Sequence, residues 1–139
     1  MKKIYFLVLP LLLLLGCSKD IFKPEHKRIL GTWKITDVKK IGFGGNRGNL
    51  PFRSGSFTFQ NDGTLTYINE AGDNFKGTWD MNQRRINDES ITSLQVTAID
   101  FNNQVVLSEF YDEINFTLSD HFKANITNDF QVYVTHFKK

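Results

Sequence analysis

The sequence predicts an all-β domain, an antiparallel up-and-down β-barrel of about eight strands. Three observations predict it. Apolar and polar residues alternate with period two along most of the chain after Ile29, as in strands with one buried face. Turn signals rich in Gly, Asn and Asp punctuate the alternation at roughly 8–12-residue spacing. No window carries the stripe of an amphipathic helix, apart from a possible single turn at Glu25 to Leu30. Short strands of this kind also build sandwiches. The succession of hairpins without long crossovers favours the barrel, and closure removes edges that invite aggregation.

Each element follows from its own residues. Gly31-Thr32-Trp33-Lys34-Ile35 opens the first strand. Ile41 to Pro51 contains four glycines and two asparagines, so it reads as a long loop. Phe57 and Phe59 alternate with polar neighbours, and Asn61-Asp62-Gly63 is a strong hairpin signal. Leu65 and Tyr67 lie on the return strand. Ala71-Gly72-Asp73 turns the chain into a strand whose Phe75, Gly77, Trp79 and Met81 share a face. Arg84 to Ser90 is polar and reads as a loop. Leu94, Val96 and Ala98 form the next apolar face, and Asn102-Asn103 turns into Val105 to Tyr111. Phe116 with Leu118, then Phe122 with Ala124 and Ile126, continue the alternation. Asn128-Asp129 leads into a last strand with Phe130, Val132, Val134 and His136 on one face.

The N-terminus has a different character. Met1-Lys2-Lys3 is positive, Ile4 to Leu15 is apolar, and Leu14-Leu15-Gly16-Cys17 closes the run. A transmembrane helix needs about 20 apolar residues. This run is shorter and contains Pro10, as in the central region of a secretory signal. The segment resembles a bacterial lipoprotein signal peptide with its lipobox. An uncleaved anchor and an ordinary secretory signal are the alternatives. The resemblance implies cleavage before Cys17 and a lipid on its thiol, with acyl chains such as palmitate. It divides the chain into a signal peptide at 1–16, a lipidated tether at 17–28 and a domain at 29–139. It also implies a bacterial cell envelope location, lipid-anchored at the outer membrane on its periplasmic face or at the cell surface. Lys19-Asp20 is similar to a short surface-sorting signal of Bacteroidota lipoproteins.

Removal of 1–16 takes away Lys2 and Lys3, and brings the 17 basic residues level with the 15 acidic ones. Near-neutrality gives no electrostatic case for nucleic acid or for an anionic lipid surface. The single cysteine is used by the anchor, so no disulfide, zinc thiolate or nucleophilic thiol remains.

Ile29-Leu30-Gly31-Thr32-Trp33-Lys34-Ile35 resembles the Gly-x-Trp start of the calycin barrels, lipocalins and fatty-acid-binding proteins. With Phe57-x-Phe59-x-x-Asp62-Gly63-Thr64 and Gly77-Thr78-Trp79 behind it, residues 29 to 137 look like the lipocalin-like domains of Bacteroidota lipoproteins. The resemblance implies that Trp33 plugs the closed end and that Gly31 lets the entering chain come close. It implies a basic side chain from a late strand over that tryptophan, for which the last strand offers His136 and the terminal lysines. It makes the loop after the first strand a lid over the open end. Fatty-acid-binding proteins carry an Arg-x-Tyr near the C-terminus, where this chain reads Gln131-Val132-Tyr133.

The candidate ligand-binding residues are the inward aromatics Phe57, Phe59, Tyr67, Phe75, Trp79, Phe116 and Phe122. An eight-stranded barrel is just wide enough to be filled by side chains or to hold one small ligand, and both alternatives stay open. The three histidines have no metal-ligand spacing, so no metal and no cofactor are expected. Glu109, Asp112 and Glu113 form a small acidic cluster that reads as a solvated turn, and Arg84-Arg85 as a solvated loop. No catalytic residue is assigned and the chain is not read as an enzyme. The expected function is a lipid-anchored envelope protein that binds a small hydrophobic ligand. The alternative is a non-enzymatic structural or protein-interaction module with a filled barrel core.

Overall fold

The computed structural model describes residues 23–43, 50–128 and 130–139. The signal peptide, the lipobox with Cys17 and most of the expected tether lie outside the described residues. A helical turn, α1 (Glu25–Arg28), precedes nine strands. These are β1 (Gly31–Gly42), β2 (Ser56–Phe59), β3 (Thr64–Ile68), β4 (Asn74–Ile86), β5 (Glu89–Asp100), β6 (Val105–Tyr111), β7 (Glu113–Leu118), β8 (His121–Asn128) and β9 (Gln131–Lys138). The all-β, antiparallel expectation holds. The last four residues of the expected tether are α1, and they pack on the sheet: Glu25 accepts a hydrogen bond from the Thr92 hydroxyl.

All nine strands form one sheet in the order β6-β5-β4-β3-β2-β1-β9-β8-β7. Each neighbouring pair is antiparallel. The sheet is not closed into a barrel by hydrogen bonds, and the strand count is nine where about eight were expected. Asp112 is the cause. It divides what would be one strand from Val105 to Leu118, so that β6 pairs with β5 and β7 pairs with β8. The outermost strands of the order are therefore joined through a single residue, whose N–H donates to Asn125 O at 2.8 Å. β5 contacts β7, and β6 contacts β8.

β1 is shared between two partners. Gly31 to Lys34 pairs with β2, and Lys34 to Gly42 pairs with β9. The register shifts between Ile35 and Asp37, and this bulge bends the strand. The extra residue, Thr36, donates its hydroxyl to His136 O at 3.2 Å.

Two expectations are corrected. Arg84 to Ser90 is not a loop: the β4–β5 ladder runs to Ile86↔Glu89. Asn87 (φ 48°) and Asp88 (φ 66°) make the two-residue turn, and positive φ at both positions matches the right-handed twist of a hairpin. Arg84 to Ser90 are exposed, so this end of the hairpin has no apolar face to betray it in the sequence. The second correction is the face of β9. Tyr133, Thr135 and Phe137 are buried, whereas Val132, Val134 and His136 are half-exposed and Phe130 is exposed. A one-residue change of phase moves every side chain to the other face, and here both phases carry apolar residues.

One buried cluster serves the whole sheet. It takes Trp33 and Ile35 from β1, Phe57 and Phe59 from β2, Leu65 and Tyr67 from β3, Phe75 from β4, and Leu94, Val96 and Ala98 from β5. Tyr111, Ile114, Phe122, Ala124, Ile126, Tyr133 and Phe137 complete it from β6 to β9. β4 crosses this cluster at Gly77, where an added Cβ would lie 1.8 Å from Thr97 O. Gly77→Ala should therefore push β4 from β5 and cost about 2 kcal/mol of unfolding free energy. Urea denaturation checks this, and an unchanged midpoint would refute the close approach.

Candidate functional site

The interior is built from rings, and they touch in sequence from one end of the sheet to the other. Trp33 meets Phe122 edge-on, with centroids 4.7 Å apart. Phe122 stacks on Phe137 at 4.3 Å, with ring planes 5° apart. Phe137 reaches Phe57 at 5.9 Å, and Phe57 lies 4.7 Å from Tyr67. Tyr67 and Phe57 both contact Phe52, at 4.9 and 5.0 Å. Phe59 with Trp79 and Tyr67 with Phe75 branch from this column.

The structure places Phe57, Phe59, Tyr67, Phe75 and Phe122 in the buried cluster, with Trp79 and Phe116 half-buried against it. All seven candidate residues are thus brought together. Five of them, Phe57, Phe59, Tyr67, Phe75 and Trp79, are linked by direct ring contacts of 4.7–5.7 Å, and Phe116 meets Phe122 at 5.3 Å, a pair joined to the five through Phe137. Of the seven, Phe122 alone lines a described cleft. One of ≈ 430 Å³ lies between α1 and the β4–β5 pair, lined by residues that include Glu25, Met81 and Thr92. Another of ≈ 400 Å³ is lined by Thr36 to Val38, Lys40, Leu50, Arg53 and Tyr133. A third of ≈ 330 Å³ includes Phe122 beside His121, Lys123 and His136.

At the α1 end, Trp33 has no exposed surface. Its indole N–H donates to Ile29 O at 2.5 Å, which satisfies the one polar atom the ring carries. Lys139 lays its ammonium over the indole, 4.6 Å from the centroid, and bonds Arg28 O at 3.2 Å. Arg28 caps the neighbouring Phe116 in the same way at 4.5 Å and donates to Leu118 O at 3.2 Å. The basic side chain expected over Trp33 is a terminal lysine, not His136. Gly31 is explained by its backbone, φ +102°, and not by crowding: an added Cβ would meet only the Lys139 side chain at 3.8 Å.

The other end carries residues that sequence reasoning missed. Leu50 and Phe52 follow the glycine-rich stretch and are buried. The chain there is fixed by the Tyr67 hydroxyl, which donates to Ser54 O at 2.7 Å. Burial, and then Glu70, push the Tyr67 phenol above its ordinary value. A Phe-Arg-Ser sequence after Pro51 has no period to mark it as core. The only available signal was the presence of Leu50 and Phe52 in an otherwise polar segment. Phe43, Phe101 and Phe130 lie at turns of this end and are 92%, 72% and 84% exposed.

Several acidic groups are engaged in structure. Asp112 accepts from Thr127 N at 2.5 Å and Glu113 from the Asn125 amide at 3.2 Å, while Glu109 points inward beside Tyr111. The acidic cluster is therefore split between two faces. Burial, with Glu109 second, drives the Tyr111 phenol far up. Asp120 holds His121 Nδ1 at 2.7 Å, and that bond keeps its carboxyl below the usual range. Asp62 and Asp100 are lowered likewise by hydrogen bonds, from Thr64 and from Asn103 in their turns. Comparison with protein-family models, with curated proteins and with solved structures returns no match.

Two outcomes follow. Trp33→Ala should cost about 3–5 kcal/mol of stability, the range for a buried aromatic, in urea denaturation. A cost well below that would deny Trp33 its wedge. Burial first, then Lys123 and Lys39, hold the His136 pKa below 6.5. The folded value is the lower one, so the unfolded chain binds the proton more readily. Stability is then full above about pH 6.5 and falls as the pH drops through it. His136→Gln should flatten that fall between about pH 7.5 and about pH 5.5, read as the denaturation midpoint.

Proposed function

We propose that this chain is a lipid-anchored envelope protein whose lipocalin-like barrel is filled by its own side chains, and that it acts as a rigid, non-enzymatic interaction module. The unbroken ring column is the observation that carries the proposal. A carrier of small hydrophobic ligands needs apolar space, and rings in mutual contact occupy that space here. The barrel reading is supported by the meander of neighbouring strands and by the one-residue link between the outermost two. The Gly-x-Trp start, with a lysine over the indole, supports the lipocalin-like comparison. Exposed phenylalanines at the turns opposite α1 support an interaction role, because exposed apolar surface mostly marks contact sites. The lipobox residues Leu14 to Cys17 support the anchor.

Native mass spectrometry of the chain purified from its own host tests the filled core. The expected mass is that of the chain with its acyl groups and nothing more, and apolar fluorescent probes leave tryptophan emission unchanged. A hydrophobe co-purifying at one per chain would restore the carrier reading. For the anchor, Cys17→Ser should move the protein from the membrane fraction to the soluble fraction, and retention on membranes would overturn it.

A further inference from the structure

We infer that the α1 end carries an oxyanion site, a cleft that takes a phosphate group. The cleft has a volume of ≈ 210 Å³ and is lined by Lys23, Lys27, Arg28, Leu30, Ser119 and Lys139. Four of its six residues are cations, a fifth offers a hydroxyl, and none is an Asp or a Glu. They converge from three parts of the fold: the entry to α1 and α1 itself, the β7–β8 turn, and the end of β9. An arrangement that holds like charges together around a concave surface is destabilised by their repulsion, and a bound anion relieves it.

The local contacts place these groups without neutralising the two on α1. Lys27 bonds the uncharged Asn61 amide oxygen at 3.1 Å. Arg28 bonds a backbone carbonyl, covers a ring, and keeps its Nε buried with no hydrogen-bond partner. The acid nearest in sequence to the cleft wall, Asp120, is turned to His121 and is influenced by Lys138, while its backbone oxygen accepts from Lys139 N at 3.0 Å. A guanidinium beside ammonium groups suits a phosphate, which offers several charged acceptors at once. Composition conceals the site, because the basic residues it gathers are balanced by acids elsewhere in the chain.

Phosphate could reach this cleft as a soluble compound or as a lipid headgroup. The cleft lies where the described chain begins, at Lys23. Cys17 is six residues earlier, a reach of about 20 Å at full extension. If Cys17 is lipidated, as the anchor reading has it, the cleft stands within reach of headgroups. The cleft itself does not depend on that reading.

The full chain carrying Cys17→Ser, which has no acyl chains of its own, allows both sources to be tested. Inorganic phosphate, added at constant ionic strength against chloride, should raise the melting temperature in a saturable way. Lys23→Gln with Lys27→Gln should weaken that binding at least about tenfold, the loss expected when a charge-assisted hydrogen bond is removed. Arg84→Gln with Arg85→Gln removes the same charge from the β4–β5 hairpin, outside the residues that line the cleft, and should leave binding as in the parent. Sedimentation with phosphatidylglycerol vesicles, against phosphatidylcholine vesicles, assigns the source. Capture that free phosphate displaces identifies a headgroup, and phosphate binding without capture identifies a soluble phosphate compound. The site is overturned by the absence of both effects. It is equally overturned if the hairpin double variant loses as much binding as the cleft variant, or if vesicle capture persists undiminished in the cleft variant.

Discussion

Contact between aromatic rings is the interaction on which this fold depends. Six rings, Trp33, Phe122, Phe137, Phe57, Tyr67 and Phe52, touch in succession from the α1 end to the end where β1 finishes. They come from β1, β8, β9, β2, β3 and the segment between β1 and β2, so the column ties together strands distant in sequence. Each ring pair adds about 0.5–1.5 kcal/mol beyond the area it buries. The greater effect is geometric. Stacked and edge-on contacts fix the separation of the strands that carry them, and hence the curvature of the sheet around the column.

Two irregularities redirect strand pairing within the sheet that carries that column. The bulge at Thr36 turns β1 from β2 toward β9. Asp112 turns the chain from pairing with β5 to pairing with β8, and its own N–H and carboxylate are both bonded to β8. The ends of the interior are sealed by different means. At the α1 end, cations lie over rings and bond nearby carbonyls. At the other end, Leu50 and Phe52 fold inward and Tyr67 holds the backbone at Ser54. The cationic seal gathers charge in one place, and this gives the α1 end its affinity for an anion.

Much of the fold was legible in the sequence because one face of most strands is buried and the other wet. Phe57 and Phe59, Leu65 and Tyr67, and Leu94 to Ala98 alternate cleanly, and Asn61-Asp62-Gly63 marks the turn between the first two pairs. Reading failed where that asymmetry is absent. The outer part of the β4–β5 hairpin is exposed and looks like a loop. β9 has apolar residues in both phases, so alternation alone does not mark Phe137, which sits in the middle of the column. Phe52 lies in a segment with no period at all. The seven candidate aromatics lie in or against one buried cluster, but alternation cannot say whether inward rings enclose a space or fill it. The cationic cleft was invisible for another reason: net charge sums over the chain, and a site depends on where the charges meet.

The central claim is that the rings leave no room between them. Diffraction from crystals of the chain held under xenon pressure tests it most directly, because xenon enters dry apolar cavities and is located without a chemical probe. The account predicts no xenon between successive members of the Trp33, Phe122, Phe137, Phe57, Tyr67 and Phe52 column. An ordered xenon atom between any two of them would contradict it, and would return the interior to the role of a ligand cavity.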